Sequence, residues 1–118
     1  MLPKVYPLLY ISDLIPLIGD RIYRHGDAPE GVQTPYVTWF VVSGVPENAL
    51  DDLPLVDSYT VQVDVWSDDD AEVEQVAKAV RDAIEPFHVM TGMTGNSQDD
   101  TTMRYRISMT FGFWTDRE

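Results

Sequence analysis

The spacing of hydrophobic positions changes character several times along the chain, and each change predicts an element. Val5, Leu8, Leu9, Leu14, Ile15 and Ile18 fall on a helical stripe that Pro7 and Pro16 interrupt. Pro7 suits a first turn, where its missing N–H is no loss. Ser12-Asp13 suits the cap of a second piece, with Pro16 near its first turn. The stripe therefore predicts two short helices, or one kinked helix, ending at Gly19. "DRIYRHG" predicts a short strand, and "GDAPEGVQTP", rich in turn residues, a loop.

From Tyr36 to Ser43 the residues are apolar or aromatic on both alternating faces. Tyr36, Phe40 and Val42 lie on one, Val37, Trp39 and Val41 on the other. Such a strand is covered on both sides. Val56 to Trp66 alternates cleanly instead. Tyr59, Val61, Val63 and Val65 point one way and Thr60, Gln62 and Asp64 the other, which predicts a half-buried antiparallel strand. The period then lengthens: Val73, Val76, Ala77, Val80 and Ile84 define one helical face in "SDDDAEVEQVAKAVRDAIEPF", ended by Pro86. Phe87 to Met93 reads as a strand and "TGNSQDD" as a polar loop. In the closing "TMRYRISMTFGFW", Tyr105, Ile107, Met109, Phe111 and Phe113 share a face opposite Arg104, Arg106, Ser108 and Thr110. The order predicts an α+β fold, a mainly antiparallel sheet with helices packed on one face, in a single domain spanning 1–118. On the far face Gln62, Asp64, Arg104 and Arg106 are expected to pair across strands.

Composition narrows the function classes. With 44% hydrophobic and 24% charged residues the chain is that of an ordinary globular protein. Its formal net charge of −12 is less ordinary. Such a surface repels phosphate backbones and anionic membranes, which argues against a nucleic-acid reader. There is no cysteine, hence no disulfide, thiolate metal site or cysteine nucleophile. "MLPKVYPLLYISD" has none of the pattern of a signal peptide, and no apolar run is long enough to span a bilayer. Folding in a reducing cytosol is expected.

Few residues are candidates for chemistry. Asp64, Asp68, Asp69, Asp70 and Glu72 have the oxygen density for calcium or magnesium but lack the D-x-D-x-D-G loop pattern. Capping by Ser67 or an aspartate, with the other carboxylates at the positive end of the helix dipole, explains them better. His25 and His88 lie far apart. Ser43-Gly44 has no nucleophile-elbow frame, and "GMTGNS" lacks a phosphate-loop lysine and reads as a hairpin tip. No catalytic, cofactor-binding or metal residue is assigned, and the chain is expected not to be an enzyme. Trp66 and Trp114 fall on the more polar faces of their strands, where a large aromatic either packs or anchors an interface.

The series "LIGDRIYRHGDAPEG", "TPYVTWFVVSGVPENAL", "DSYTVQVDVWSDDDAEVEQVAKAVRDAI" and "TMRYRISMTFGFW" resembles the tail terminator, or tail completion, proteins of long-tailed bacteriophages. The likeness covers nearly the whole chain, and the combination carries it rather than any one piece. It implies a structural virion protein of the tail and neck, assembled in the host cytoplasm. Members form a ring, typically of six subunits, that caps the head-proximal end of the tail tube and ends its polymerisation. The implied partners are copies of itself, the tail tube protein and a head-completion or connector protein. Genomic DNA passes through the channel without specific binding, and no membrane is involved. On this resemblance Gly44 to Asp57 is the connection of a long hairpin that touches the tube or a neighbouring subunit. Val45, Leu50, Leu53 and Leu55 would be adhesive there, and Glu47, Asp51 and Asp52 would tune orientation and repulsion. Trp66 and Trp114 join them as interface candidates. The competing reading is a solvated loop whose leucines fold over the chain's own core. Two other functions stay open: a phage neck or baseplate adaptor of similar fold, and a small metal- or ligand-binding domain using Asp64 to Glu72.

Overall fold

Alternation in the last strand sets the architecture, because its apolar face needs a cover and only one long amphipathic helix is available. The computed structural model describes residues 3–11, 13–29, 31–47, 56–98 and 104–116. Among them the elements run α1 (Tyr6–Leu9), α2 (Ile15–Ile18), β1 (Ile22–Arg24), β2 (Tyr36–Glu47), β3 (Val56–Ser67), α3 (Asp70–Ile84), β4 (Val89–Gln98) and β5 (Tyr105–Asp116). The strands form one sheet in the order β1-β2-β3-β5-β4. Every neighbouring pair is antiparallel except β1 with β2, which is parallel. The α+β expectation therefore holds, and so does "mainly antiparallel".

Tyr59, Val61, Val63 and Val65 of β3, with Ile107, Met109, Phe111 and Phe113 of β5, are buried under α3. The helix contributes Val73, Val76, Ala77, Val80, Ala83 and Ile84. Val5, Leu9, Leu14 and Ile18 of the N-terminal segment close the same core. At ~1.5–3 kcal/mol for each large apolar side chain, this one cluster dominates the favourable side of folding.

Local chemistry explains the element ends. Pro7 and Pro16 both occupy the first turns of their helices. Of the cap expected at Ser12-Asp13, Ser12 lies outside the described residues, and Leu14 rather than Asp13 takes the N-cap of α2, with no side-chain cap bond; backbone bonds from Leu14 and Ile15 to the Ile11 carbonyl tie the two helices together. Gly19 ends α2 at φ 59°, a conformation that favours glycine. Arg21 then fixes the turn, its Nε donating to the Pro35 carbonyl at 2.9 Å, beside the cis Thr34–Pro35 bond.

Two boundaries move. Strand β4 runs from Val89 to Gln98, so "TGNSQ" is strand and not loop, and Gly92 to Ser97 is not a hairpin tip. Register irregularities between Met90 and Gly92 and between Thr94 and Ser97 let this glycine-rich stretch follow β5. Likewise β2 continues through Val45 to Glu47 and pairs with β3 as far as Glu47↔Val56, after a bulge between Val41 and Ser43. The hairpin connection is therefore 48–55, shorter than the expected Gly44 to Asp57. Leu50, Asp51, Asp52, Leu53 and Leu55 lie in it, outside the described residues.

The hairpin lengthens the molecule. Its principal extents are 52 × 30 × 24 Å. The Cα radius of gyration is 15.3 Å, against about 13.5 Å for a compact chain of this length.

Candidate assembly surfaces

Among the described residues, three surfaces bear on assembly once the core is accounted for: the far face of the sheet, the hairpin arm, and the ground between α3 and the β4 edge.

On the far face the expected charge pairing takes a different form. Asp64 is only 2% exposed, and it accepts from Gln62 Nε2 at 3.0 Å and from Ser108 Oγ. Gln62 Nε2 also approaches Ser108 Oγ at 2.9 Å. Neither arginine is a partner of this carboxylate. Instead Arg106 lies over the Trp66 ring and Arg104 over the Tyr36 ring, each 5.5 Å from the centroid. The two rings stack on each other, 6.0 Å apart and 8° from parallel. Planar guanidinium groups favour such stacking, worth about 0.5–1 kcal/mol per exposed pair. Trp66 Nε1 donates to Thr38 Oγ1 at 3.1 Å, and Arg104 Nη1 contacts the Tyr36 hydroxyl at 3.1 Å. Trp66 is thus half-buried in its own subunit, packed and hydrogen-bonded.

Trp114 differs. It sits opposite Ser58 on β5 and is 50% exposed. Eight residues of β5 separate it from Arg106, the Trp66 partner, or about 27 Å of strand. The two tryptophans therefore belong to separate patches. Val45 and Glu47 are placed in β2, opposite Ser58 and Val56, at the end of the arm near Trp114.

The acidic cluster disperses. Asp69 caps α3, accepting from the Ala71 and Glu72 amides at 2.8 and 3.4 Å. Ser67 Oγ donates to Glu72 at 2.7 Å, and Asp68 accepts from Thr34 Oγ1 at 3.1 Å and lies 3.7 Å from Arg104 Nε. Asp64 faces the other way. Among the described residues no group of three or more histidine or acidic side chains is placed to hold a metal. The histidines sit at opposite edges of the sheet, His25 against Phe40 and His88 stacked 3.7 Å from Phe113. Burial pushes the His88 imidazole below the usual histidine range. Its Nδ1 is buried with no hydrogen-bond partner among the described residues.

The third surface was not legible in the sequence. A cavity of about 340 Å³ opens between α3 and the sheet, lined by Glu74, Ala77, Lys78, Arg81, Met93, Ile107 and Met109. Met93 is opposite Met109 across the β4–β5 ladder, a register that only the structure reveals.

These features define the class: a small α+β protein whose described residues present packing surfaces and an extended arm around one core. The family model of tail completion protein gp17 matches residues 8–116, and the chain belongs to that family. It is accordingly a structural component of a phage-type tail, found in the virion with other tail proteins, and not an enzyme. Among solved structures, a chain in the virion of a native gene transfer agent particle is similar, with a TM-score of 0.64 and 18% identity. The match covers 95% of this chain and 91% of that one, and it shows a shared fold. No curated protein matches in sequence. No helix among the described residues is long and apolar enough to cross a membrane.

Proposed function

We propose that the chain acts as a single domain, residues 1–118, that assembles into a ring of six subunits on the head-proximal end of the tail tube. There it ends tube polymerisation and joins the tail to a head-completion or connector protein. The observation that carries this reading is the tail completion family match over residues 8–116. The extended hairpin supports it, since an arm at the end of a 52 Å long protomer suits contact with a neighbour. A net charge of −12 supports a channel through which DNA passes without adhering.

Light scattering of the purified protein, with negative-stain images, tests it. The expected result is a species of six-subunit mass, or a monomer that tail tubes recruit to one end. A monomer indifferent to tubes, under conditions where tubes are intact, overturns the reading.

A further inference from the structure

The two flanks of the sheet are built differently, and each leaves a length of strand edge open. On one side β4 is the last strand and bonds only to β5. Its ten residues, Val89–Gln98, include no charge and no proline, although 24% of the chain is charged. Edge strands ordinarily carry such residues, because a bare edge recruits another strand. The irregularities of β4 fall on either side of 92–94, which keeps unbroken register with β5. On the other side β1 covers β2 only as far as Trp39. Residues 41–47 of β2 pair with β3 and, among the described residues, with no strand on their outer side. That stretch is uncharged up to Glu47. Strand β1 has the protection that β4 lacks, being three residues long and carrying Arg24.

Apolar exposure follows the same division. Among the described residues eight large apolar side chains are exposed, and six of them mark these flanks. Phe87, Val89 and Met93 lie on β4 or just before it, whereas Tyr6 and Tyr10 lie on α1, which packs on β1, and Val42 lies on β2. Strand polarity agrees as well. Direction reverses from β2 to β3, from β3 to β5 and from β5 to β4, so β4 runs opposite to β2. A copy set beside the first in the same orientation therefore offers its β2 antiparallel to β4. The two open stretches are staggered. Gly44 is level with Phe113 through Tyr59, and Thr94 is level with Ser108, five residues away along β5. That offset is about 17 Å. Across five strands spaced about 4.8 Å apart it inclines the strands roughly 35° to a ring axis, as in closed sheets.

We infer that the open edge of β4 is the seat for residues 41–47 of β2 in a second copy of the chain, so that the sheet runs on from subunit to subunit. Main-chain hydrogen bonds hold the added strand, and the apolar flanks on either side exclude water from it. The contact joins two different surfaces and is heterologous; such a contact closes into a ring when its rotation divides the circle. A second β4 would fit the same edge only about a two-fold axis, which a ring with distinct head and tail sides does not contain. The inference rests on the ring reading and names the subunit contact within it.

The absence of cysteine makes the test direct. Ser43 and Thr94 are both exposed. Preparations of Ser43→Cys and Thr94→Cys are mixed in equal amounts, alone and with tail tubes, and treated with a short bis-maleimide. The expected product is a heterodimer of the two variants, formed well above the homodimer that either gives alone. Thr94→Lys, which places a charge on the bare edge, should lower the fraction of ring-mass particles about tenfold. Melting temperature confirms that each variant is folded. Ring-mass particles without the heterodimer, or unaffected by Thr94→Lys, overturn the edge contact and leave the ring reading standing. A Thr94→Cys homodimer in its place, or cross-linking of Thr94→Cys to the tube protein, overturns it too. The heterodimer in open chains of graded mass keeps the edge contact and overturns the ring. Neither heterodimer nor ring-mass species, alone or on tubes, brings down both readings.

Discussion

At the residue scale the most consequential group is Asp64, a carboxylate placed on the polar side of its strand by alternation yet almost fully buried. Its oxygens gather the Gln62 amide and the Ser108 hydroxyl. Asp64→Ala leaves the buried Ser108 hydroxyl without its acceptor, while Gln62 Nε2 keeps Ser108 Oγ at 2.9 Å, and a buried group so stranded costs about 1–3 kcal/mol. Urea unfolding should show a loss of that size, and Asp64→Asn, which keeps one acceptor oxygen, a smaller one. Equal losses would show that the charge itself is what the site requires. His88 gives a pH-dependent counterpart. Its folded pKa is depressed by burial, so between that value and about 6.5 the unfolded chain binds a proton that the folded chain refuses. The His88 contribution is complete above about 6.5 and is lost as pH falls toward the folded pKa. His88→Phe keeps the stack on Phe113 but cannot titrate. From pH ~7.5 down to ~5, the melting temperature of the natural chain should therefore fall relative to that of His88→Phe, with the background of carboxylates common to both. A constant difference across the range would rule out a role for this imidazole.

At the element scale the helix α3 was the most legible part of the chain, because its period, its capping carboxylates and Pro86 all agree. Asp69 holds two first-turn amides, so Asp69→Ala should destabilise by about 0.5–2 kcal/mol in denaturant unfolding, while Asp69→Ser, which keeps a capping oxygen without the charge, should do much less. Equal losses from the two would mean that dipole charge, not the cap bond, is what matters. The strands β3 and β5 were legible for the same reason, since each alternates without interruption from Tyr59 to Val65 and from Tyr105 to Phe113. Where the sequence misled, the cause was glycine and register. Gly92 and Gly95 made β4 look like a turn, yet its pairing with β5 tolerates them through two irregularities. The strand read as ending at Ser43 runs on to Glu47, and Gly44 is seated within it opposite Tyr59, whose ring would lie 2.7 Å from any added Cβ. The arginine stacking and the groove beside α3 escaped for a different reason. Each joins residues from separate elements, Arg106 with Trp66 and Met93 with Ala77, and no local pattern encodes such a meeting.

At the scale of the whole molecule the decisive quantity is what segment 48–55 contributes to the isolated subunit. Two readings of its leucines differ by several kcal/mol. If Leu50, Leu53 and Leu55 fold over their own subunit, their removal forfeits about 1.5–3 kcal/mol each, some 5 kcal/mol or more together. If they serve a neighbour, the isolated chain loses nothing when they go. Replacing 48–55 by Asn-Gly joins Glu47 to Val56 through a two-residue loop suited to the ends of an antiparallel pair. Shortening the loop from eight residues to two recovers about 1 kcal/mol of closure entropy. On the proposed assembly the variant should unfold within about 1 kcal/mol of the natural chain and slightly toward the stable side. It should also fail to form ring-mass particles or to bind the ends of tail tubes. A loss of several kcal/mol in the monomer would place the leucines on their own core and remove the arm from the contact. Unchanged stability with unchanged assembly would show the segment to be inert and would leave Trp114, half exposed at the same end of the sheet, as the next residue to vary.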